Sequence, residues 1–310
     1  MEASTMKFSI VDVFTDRVFG GNPAGVVMIP EGQEYPDDET MRLTAAELRY
    51  SETAFVQKKG EGEYKLRYFT PAAEVELCGH ATVGSFYVLM KSGQIRPGDK
   101  VTAETLAGTI GIKADPDGIL MDMATPETFG KIEDRDKLDE LYGIMGLKAD
   151  GQGTVESGSR FGTPEDASLY LVPEMVSTGL TDIMMPVKDE KALDDIAPDF
   201  PALTELSRRY EVVGVHAFTI NSADGMIHAR NFAPLYDIDE EAATGTSNGA
   251  LTFYLYERGI VKPGVVNTVV QGEKMKRRSL IETELTEEEG GVKVRVGGKA
   301  SILSEGEIYL

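Results

Sequence analysis

Three residues in the first half of the chain have side chains that could move a proton at neutral pH. Glu52 lies in Ser51-Glu52-Thr53-Ala54-Phe55-Val56, and Cys78 and His80 lie in Cys78-Gly79-His80-Ala81-Thr82. Their surroundings can tune glutamate, cysteine and histidine to titrate near neutrality. The frame around them occurs twice. Cys78-Gly79-His80-Ala81-Thr82 opens an apolar run that ends at Gly93, Pro97 and Gly98. Thr244-Gly245-Thr246-Ser247-Asn248 opens another that ends at Gly259, Pro263 and Gly264, at an offset of 166 (244 − 78). Upstream, Arg67-Tyr68-Phe69-Thr70-Pro71 returns as Arg230-Asn231-Phe232-Ala233-Pro234, at an offset of 163 (230 − 67). Ala54-Phe55 returns as Ala217-Phe218 at the same offset.

The copies agree in residues that shape backbone and differ in residues that react. Glu52, Cys78 and His80 are matched by Val215, Thr244 and Thr246. Valine and threonine do not titrate near neutrality, so one half is expected to carry the acid/base group. The other half would supply hydrogen bonds and shape. This asymmetry favours a single base on one face of a carbon over two thiols on opposite faces.

The shared glycines suggest what the reaction acts on. The first N–H groups of a helix lack intrahelical partners and carry the positive end of the helix dipole. Glycine there lets a ligand approach bare backbone. Two such starts across a cleft would clasp an anion, and a small carboxylate suits them. The competing explanation is that Gly79 and Gly245 only pack closely against a strand. Likewise Glu52 could be an exposed strand-end carboxylate, Cys78 a small buried hydrophobe, and His80 a structural hydrogen-bonding group. His216 and His228 fall in strand patterns and read as packing or surface residues.

The elements that position these groups are mostly short strands. Alternation makes Phe8 to Phe14 a strand, Gly20 to Gly25 a turn, and Val26 to Ile29 a buried strand. A helix runs from Pro36-Asp37-Asp38 through Leu48 with an aspartate cap. Strands follow at Thr53–Val56 and Tyr64–Phe69, then a helix from Cys78 to Met90, then strands near Val101, Ile110 and Ile119. The second half repeats this order, with helices near Ala202–Arg209 and Thr246–Arg258 and strands at Leu169–Val172, Ile183–Pro186, Val212–Ile220 and Ile227–Phe232. Four more are expected near Val266, Arg278, Val292 and Ser301. The residues 151–162 read as a surface loop. The two long helices are apolar almost all round and must be enclosed. The expected fold is therefore α+β, with two pseudo-symmetric domains, each a curled mixed sheet around a central helix. The expected division is 1–123 plus 298–310, and 124–297.

Composition excludes several functions. A net charge of −21 over 310 residues repels nucleic acid and anionic membrane. No apolar stretch approaches the length of a membrane span, and no signal peptide is visible. One cysteine precludes an intramolecular disulfide, and a cytoplasmic home is expected. Three histidines, one cysteine and no close His/Cys/carboxylate grouping predict no zinc site.

At these residues the chain resembles the PhzF-like, phenazine-biosynthesis-like family within the diaminopimelate epimerase superfamily. The matching stretches are Val11-Asp12-Val13-Phe14 with Phe19-Gly20-Gly21-Asn22-Pro23-Ala24-Gly25-Val26, Ser51 to Val56, Tyr68-Phe69-Thr70-Pro71, Cys78 to Thr82 and Ala243-Thr244-Gly245-Thr246. Gly297-Gly298-Lys299-Ala300 with Gly306 also fits. The resemblance implies a cleft between the domains, a homodimer and isomerisation without a cofactor. It makes Glu52 the acid/base, and the backbone at Gly79, His80, Gly245 and Thr246 the holder of a substrate carboxylate. Ser51, His80 and Glu241 would orient the substrate, and Asn22 and Thr244 complete the binding set. The family commonly reads Glu-Asp-Pro-Ala-Thr-Gly where this chain reads Glu240-Glu241-Ala242-Ala243-Thr244-Gly245, so Glu241 replaces an aspartate. Pairing Cys78 with Thr244 rather than a second cysteine also leaves open a hydro-lyase or an epimerase working through Cys78. A non-catalytic metabolite-binding protein of this fold is the remaining alternative.

Overall fold

A computed structural model describes residues 5–155 and 170–310. Most of the loop expected over 151–162 lies outside these residues, as does Leu169. Tyr170 makes one isolated bridge to Thr154 rather than a strand. The chain forms two compact units, Met1–Asp122 with Gly297–Leu310, and Met123–Val296.

The first unit holds β1 (Thr5–Val13), β2 (Asn22–Met28), α1 (Asp38–Leu48), β3 (Thr53–Gly60), β4 (Glu63–Phe69), β5 (Glu74–Val75), α2 (Gly79–Lys91), β6 (Lys100–Thr105), β7 (Gly108–Ala114) and β8 (Ile119–Asp122). The second holds β9 (Glu127–Lys131), α3 (Arg135–Ile144), β10 (Glu174–Ser177), β11 (Thr181–Pro186), α4 (Glu190–Asp195), α5 (Phe200–Tyr210), β12 (Gly214–Thr219), β13 (Ile227–Ala233), β14 (Ile238–Glu241), α6 (Gly245–Tyr256), β15 (Val266–Gln271) and β16 (Ser279–Glu288). β17 (Gly291–Gly298) then leads to β18 (Ala300–Tyr309), which belongs to the first unit.

The repeat is visible in the strand pairing. β2 runs parallel to β3, β3 antiparallel to β4, β4 parallel to β6, and β6 antiparallel to β7. β11, β12, β13, β15 and β16 follow the same sequence of pairings. α2 packs on β1, β2, β3, β8 and β18, and α6 on β10, β11 and β16. Both helices end alike. Gly93 donates to Met90 O and Gln94 to Leu89 O; Gly259 donates to Tyr256 O and Ile260 to Leu255 O. This is the Schellman closure, and both glycines take the left-handed φ it needs, 76° and 70°.

Two sequence expectations need correction. Asn22 to Gly25 are strand, not turn. Asn22 pairs with Val13 on one side, and β3 begins to pair on the other side only at Gly25. Pro23 therefore sits where the strand has one neighbour, which a residue lacking an N–H tolerates. The long helices are also not enclosed all round. Tyr87 and Met90 on α2, and their matches Phe253 and Tyr256 on α6, are partly exposed. Residues three apart share a helix face, so the same narrow stripe of each helix reaches the surface.

Candidate active site

In the first unit the fold brings Glu52, Cys78 and His80 together. α1 ends at Arg49, whose φ is +60°, and after Tyr50, Ser51 and Glu52 the chain enters β3 at Thr53. The Glu52 carbonyl accepts from the Gly25 N–H at 3.3 Å, which ties this turn to β2. Cys78 is the N-cap of α2 and is extended, with φ −134° and ψ 112°. His80 lies in the first turn and is buried.

The imidazole is the hub. Asn22 Nδ2 lies 3.4 Å from Nδ1, and Cys78 Sγ also lies 3.4 Å from Nδ1. Ser51 Oγ is 3.5 Å from Nε2, and Glu52 Oε2 is 3.4 Å from it. The Glu52 contact is close but poorly aligned, so this buried oxygen makes no hydrogen bond. The candidate ligand atoms of Glu52, Cys78 and His80 lie within 4.8 Å of one another. This corrects the expectation of no close His/Cys/carboxylate grouping, because residues 26 apart in sequence meet across β3 and α2. Burial holds His80 below the ordinary imidazole value; the Glu52 carboxylate and the Pro23 backbone pull the other way. His80 is therefore neutral at neutral pH, able to donate from one nitrogen and accept at the other.

In the second unit Thr244 is the N-cap of α6, with φ −124° and ψ 105°, nearly the Cys78 geometry. Neither N-cap side chain hydrogen-bonds to the first turn of its own helix. Thr244 Oγ1 instead donates to Glu241 Oε2 at 2.6 Å. Gly245 and Thr246 open the helix, as Gly79 and His80 do. A methyl group on Gly79 would meet only Met121 Sδ, at 3.8 Å, and one on Gly245 only Val296 Cγ1, at 3.8 Å. Those are ordinary contacts, so close packing does not require glycine at either helix start.

Sequence reasoning missed Gln271 and the network behind this helix. Gln271 Oε1 accepts from the Thr244 N–H (3.3 Å) and from Asn248 Nδ2 (2.8 Å). Its Nε2 donates to Glu241 O (2.8 Å) and Thr244 Oγ1 (3.1 Å). Asn248 Oδ1 accepts from His216 Nε2, and His216 Nδ1 accepts from Asn231 Nδ2. Asn231 also donates to Ser247 Oγ, which donates to Asp182 Oδ2 at 2.6 Å. His216, read from sequence as packing or surface, is thus a buried polar link. Its signal was the company of Asn231, Ser247 and Asn248 at positions where the first copy has Tyr68, Ala81 and Thr82.

Burial lifts Asp182 to about 6 and lowers His216 to about 4. The stability from a raised Asp182 is complete below about 3.8 and lost as pH rises through 6. That from a depressed His216 is complete above 6.5 and lost as pH falls through 4. Each is worth about 3 kcal/mol over its window, and the two oppose each other. Asp182→Asn removes one side. Its unfolding free energy in urea should fall more steeply between pH 6.5 and 4 than that of the parent chain. Identical slopes would contradict this coupling.

A family model described as phenazine biosynthesis-like protein matches residues 11–306. The chain belongs to this family. The uncharacterized isomerase YfhB of Bacillus subtilis is 32% identical over 96% of each chain. The uncharacterized isomerase YddE of Escherichia coli is 31% identical, again over 96% of each. A Bacillus anthracis phenazine biosynthesis protein of the PhzF family superposes with a TM-score of 0.80 at 25% identity, covering 99% of this chain and 100% of that one. A hydroxyproline epimerase from Agrobacterium vitis, at 14% identity, shares the fold with a TM-score of 0.59, covering 99% and 93%. The fold is the α+β epimerase type, with each half a mixed sheet on a central helix. No helix among the described residues is long and apolar enough to cross a membrane.

Proposed function

We propose that this protein is an isomerase that moves a proton on a small carboxylic acid by single-base chemistry, with Glu52 as the base. The observation that carries this is Glu52 Oε2, a buried carboxylate oxygen that makes no hydrogen bond beside a neutral His80. An oxygen without a committed donor is ready to take a proton. The relatives named as isomerases support the same class.

Glu52 removes a proton from the carbon next to the carboxylate and, once protonated, returns it to another carbon of the same molecule. Atoms balance without an added reactant. The N–H groups at the start of α2, Gly79 and His80, hold the carboxylate and stabilise the charge that develops beside it. That Gly79 is not needed for packing supports a ligand at this helix start. His80 donates to the substrate, while Ser51 and Asn22 fix its ring. In the second unit Glu241 is held by the Thr244 hydroxyl.

The Cys78 thiol, 3.4 Å from His80 Nδ1, favours one second reading: a hydro-lyase or epimerase in which sulfur is the base. Cys78→Ala separates the two. It should leave turnover within a few-fold under the Glu52 mechanism and abolish it under the thiol mechanism. The class itself is tested by incubating amino and hydroxy acids with the protein in D₂O and following them by NMR. Deuterium in a rearranged product supports the isomerase. Loss of water or ammonia indicates a lyase, inversion an epimerase, and no exchange with any acid a metabolite-binding protein.

A further inference from the structure

We infer that Glu190, Asp224 and His228 form a binding site for one borderline divalent cation of the zinc or manganese kind. The site lies within the second unit, among residues given no role in the proton chemistry. It draws on the first residue of α4, the turn between β12 and β13, and β13 itself.

The geometry is that of ligands around a shared ion. His228 Nε2 lies 3.1 Å from Asp224 Oδ1 and 3.6 Å from Glu190 Oε1, and the three candidate atoms fall within 4.8 Å of one another. Ligands about 2.0–2.2 Å from a metal stand roughly 3.0–3.6 Å apart. A cation placed among Nε2 and these two carboxylate oxygens would lie within ligand reach of all three. A proton is the competing occupant, but it can bridge only to Asp224, because 3.6 Å to Glu190 is beyond a hydrogen bond. A metal ion engages all three.

The other ring nitrogen is oriented for that role. His228 Nδ1 is 3.0 Å from Glu273 Oε2. A carboxylate holding the far N–H of a metal-ligating histidine is the usual second layer of such sites, and it leaves Nε2 free to ligate. The ring is nine-tenths buried, while the three carboxylates are 39–48% exposed, so an ion and its waters can enter. Arg278 contacts Glu273 at 3.4 Å and balances that outer carboxylate. Asp224 Oδ1 is fixed by the Met226 N–H, and Glu190 Oε1 by the Ala223 N–H.

The repeat supplies independent support. His228 occupies the place of Lys65 (offset 163), whose Nζ pairs with Glu104 at 2.8 Å. Where the first copy carries a permanent cation, the second carries an imidazole among carboxylates. One imidazole with two carboxylates suits zinc or manganese better than magnesium or calcium.

The test is calorimetric titration of the chelator-stripped full chain with zinc chloride at pH 7.5. One saturable event is expected, and it should weaken at pH 5.5 as protons compete for the ligands. His228→Lys, which copies the first half, should abolish it. So should Glu190→Gln with Asp224→Asn, whose exposed positions leave folding intact if the lysine variant does not fold. Glu273→Gln should weaken binding about 10–100-fold. Cys78→Ser should leave it unchanged. Absence of saturable binding overturns the inference. So does binding that survives in the double variant, or binding lost only in Cys78→Ser, which would place the ion beside Glu52.

Discussion

Glu52→Gln should lower turnover by about 10²–10⁴-fold, the usual contribution of a positioned general base. The change is nearly isosteric, and Glu52 is pinned to β2 through its backbone carbonyl rather than its side chain. The buried oxygen that faces His80 has no hydrogen bond to lose. Fold and ligand affinity should therefore persist while the proton acceptor disappears. Steady-state kinetics on the substrate found by D₂O exchange should show a fall in kcat with KM nearly constant. A variant with full activity would remove Glu52 from the mechanism and return attention to Cys78.

The second large effect is on stability. Both copies anchor the arginine of the Arg-x-Phe-x-Pro repeat with a two-pronged carboxylate. Arg67 bonds Glu74 at 2.7 and 2.6 Å, and Arg230 bonds Glu240 at 2.8 Å through both prongs. Each guanidinium also covers the phenylalanine two residues on, at 5.2 and 4.9 Å. Their settings differ. Arg230 is 10% exposed and donates to the carbonyls of Leu193 and Ile196, whereas Arg67 is 19% exposed and has Asp38 as a second carboxylate at 2.9 Å. Glu240→Gln strands a buried charge, which costs about 3–5 kcal/mol. Glu74→Gln leaves Asp38 in place and water nearer, so its cost should be about 1 kcal/mol. Urea melts of the two variants should rank in that order. Equal losses would show that the carboxylates act only through surface electrostatics.

Much of this was legible in the sequence because the chain repeats itself. The offsets of 163 and 166 located both central helices, their caps and their glycine stops, and column comparison drew attention to Glu52, Cys78 and His80. α3 was missed although its signal was present. Asp134 caps it by accepting from the Lys137 N–H, and Leu138, Leu141, Tyr142 and Met145 follow helical spacing. The repeat offers no partner for α3, and attention to the repeat hid it. Gln271 was hidden for a different reason. It ends a strand in a run of ordinary β residues, and only the return of β15 beside β13 brings it under Thr244. His228, read as a packing or surface residue in a strand, is buried in β13; its polar contacts were not legible, because a strand pattern does not report which loops fold over it. Its carboxylate partners come from turns and helix ends elsewhere in the second unit.

The strand pairing also bears on how the chain is made. β1 pairs with β18 from Thr5–Tyr309 through to Val13–Ala300, so its partners are almost 300 residues away. The second unit is contiguous in sequence; the first is not. On a ribosome, domains generally fold in order of synthesis. Here that order is inverted. The N-terminal sheet must wait, with β1 unsatisfied along one edge, until residue 309 has emerged, while the later-made unit can already be complete. Such distant closure is slow and leaves a strand edge open to neighbouring chains. Nascent chains truncated before β18 should therefore be the aggregation-prone species of this protein.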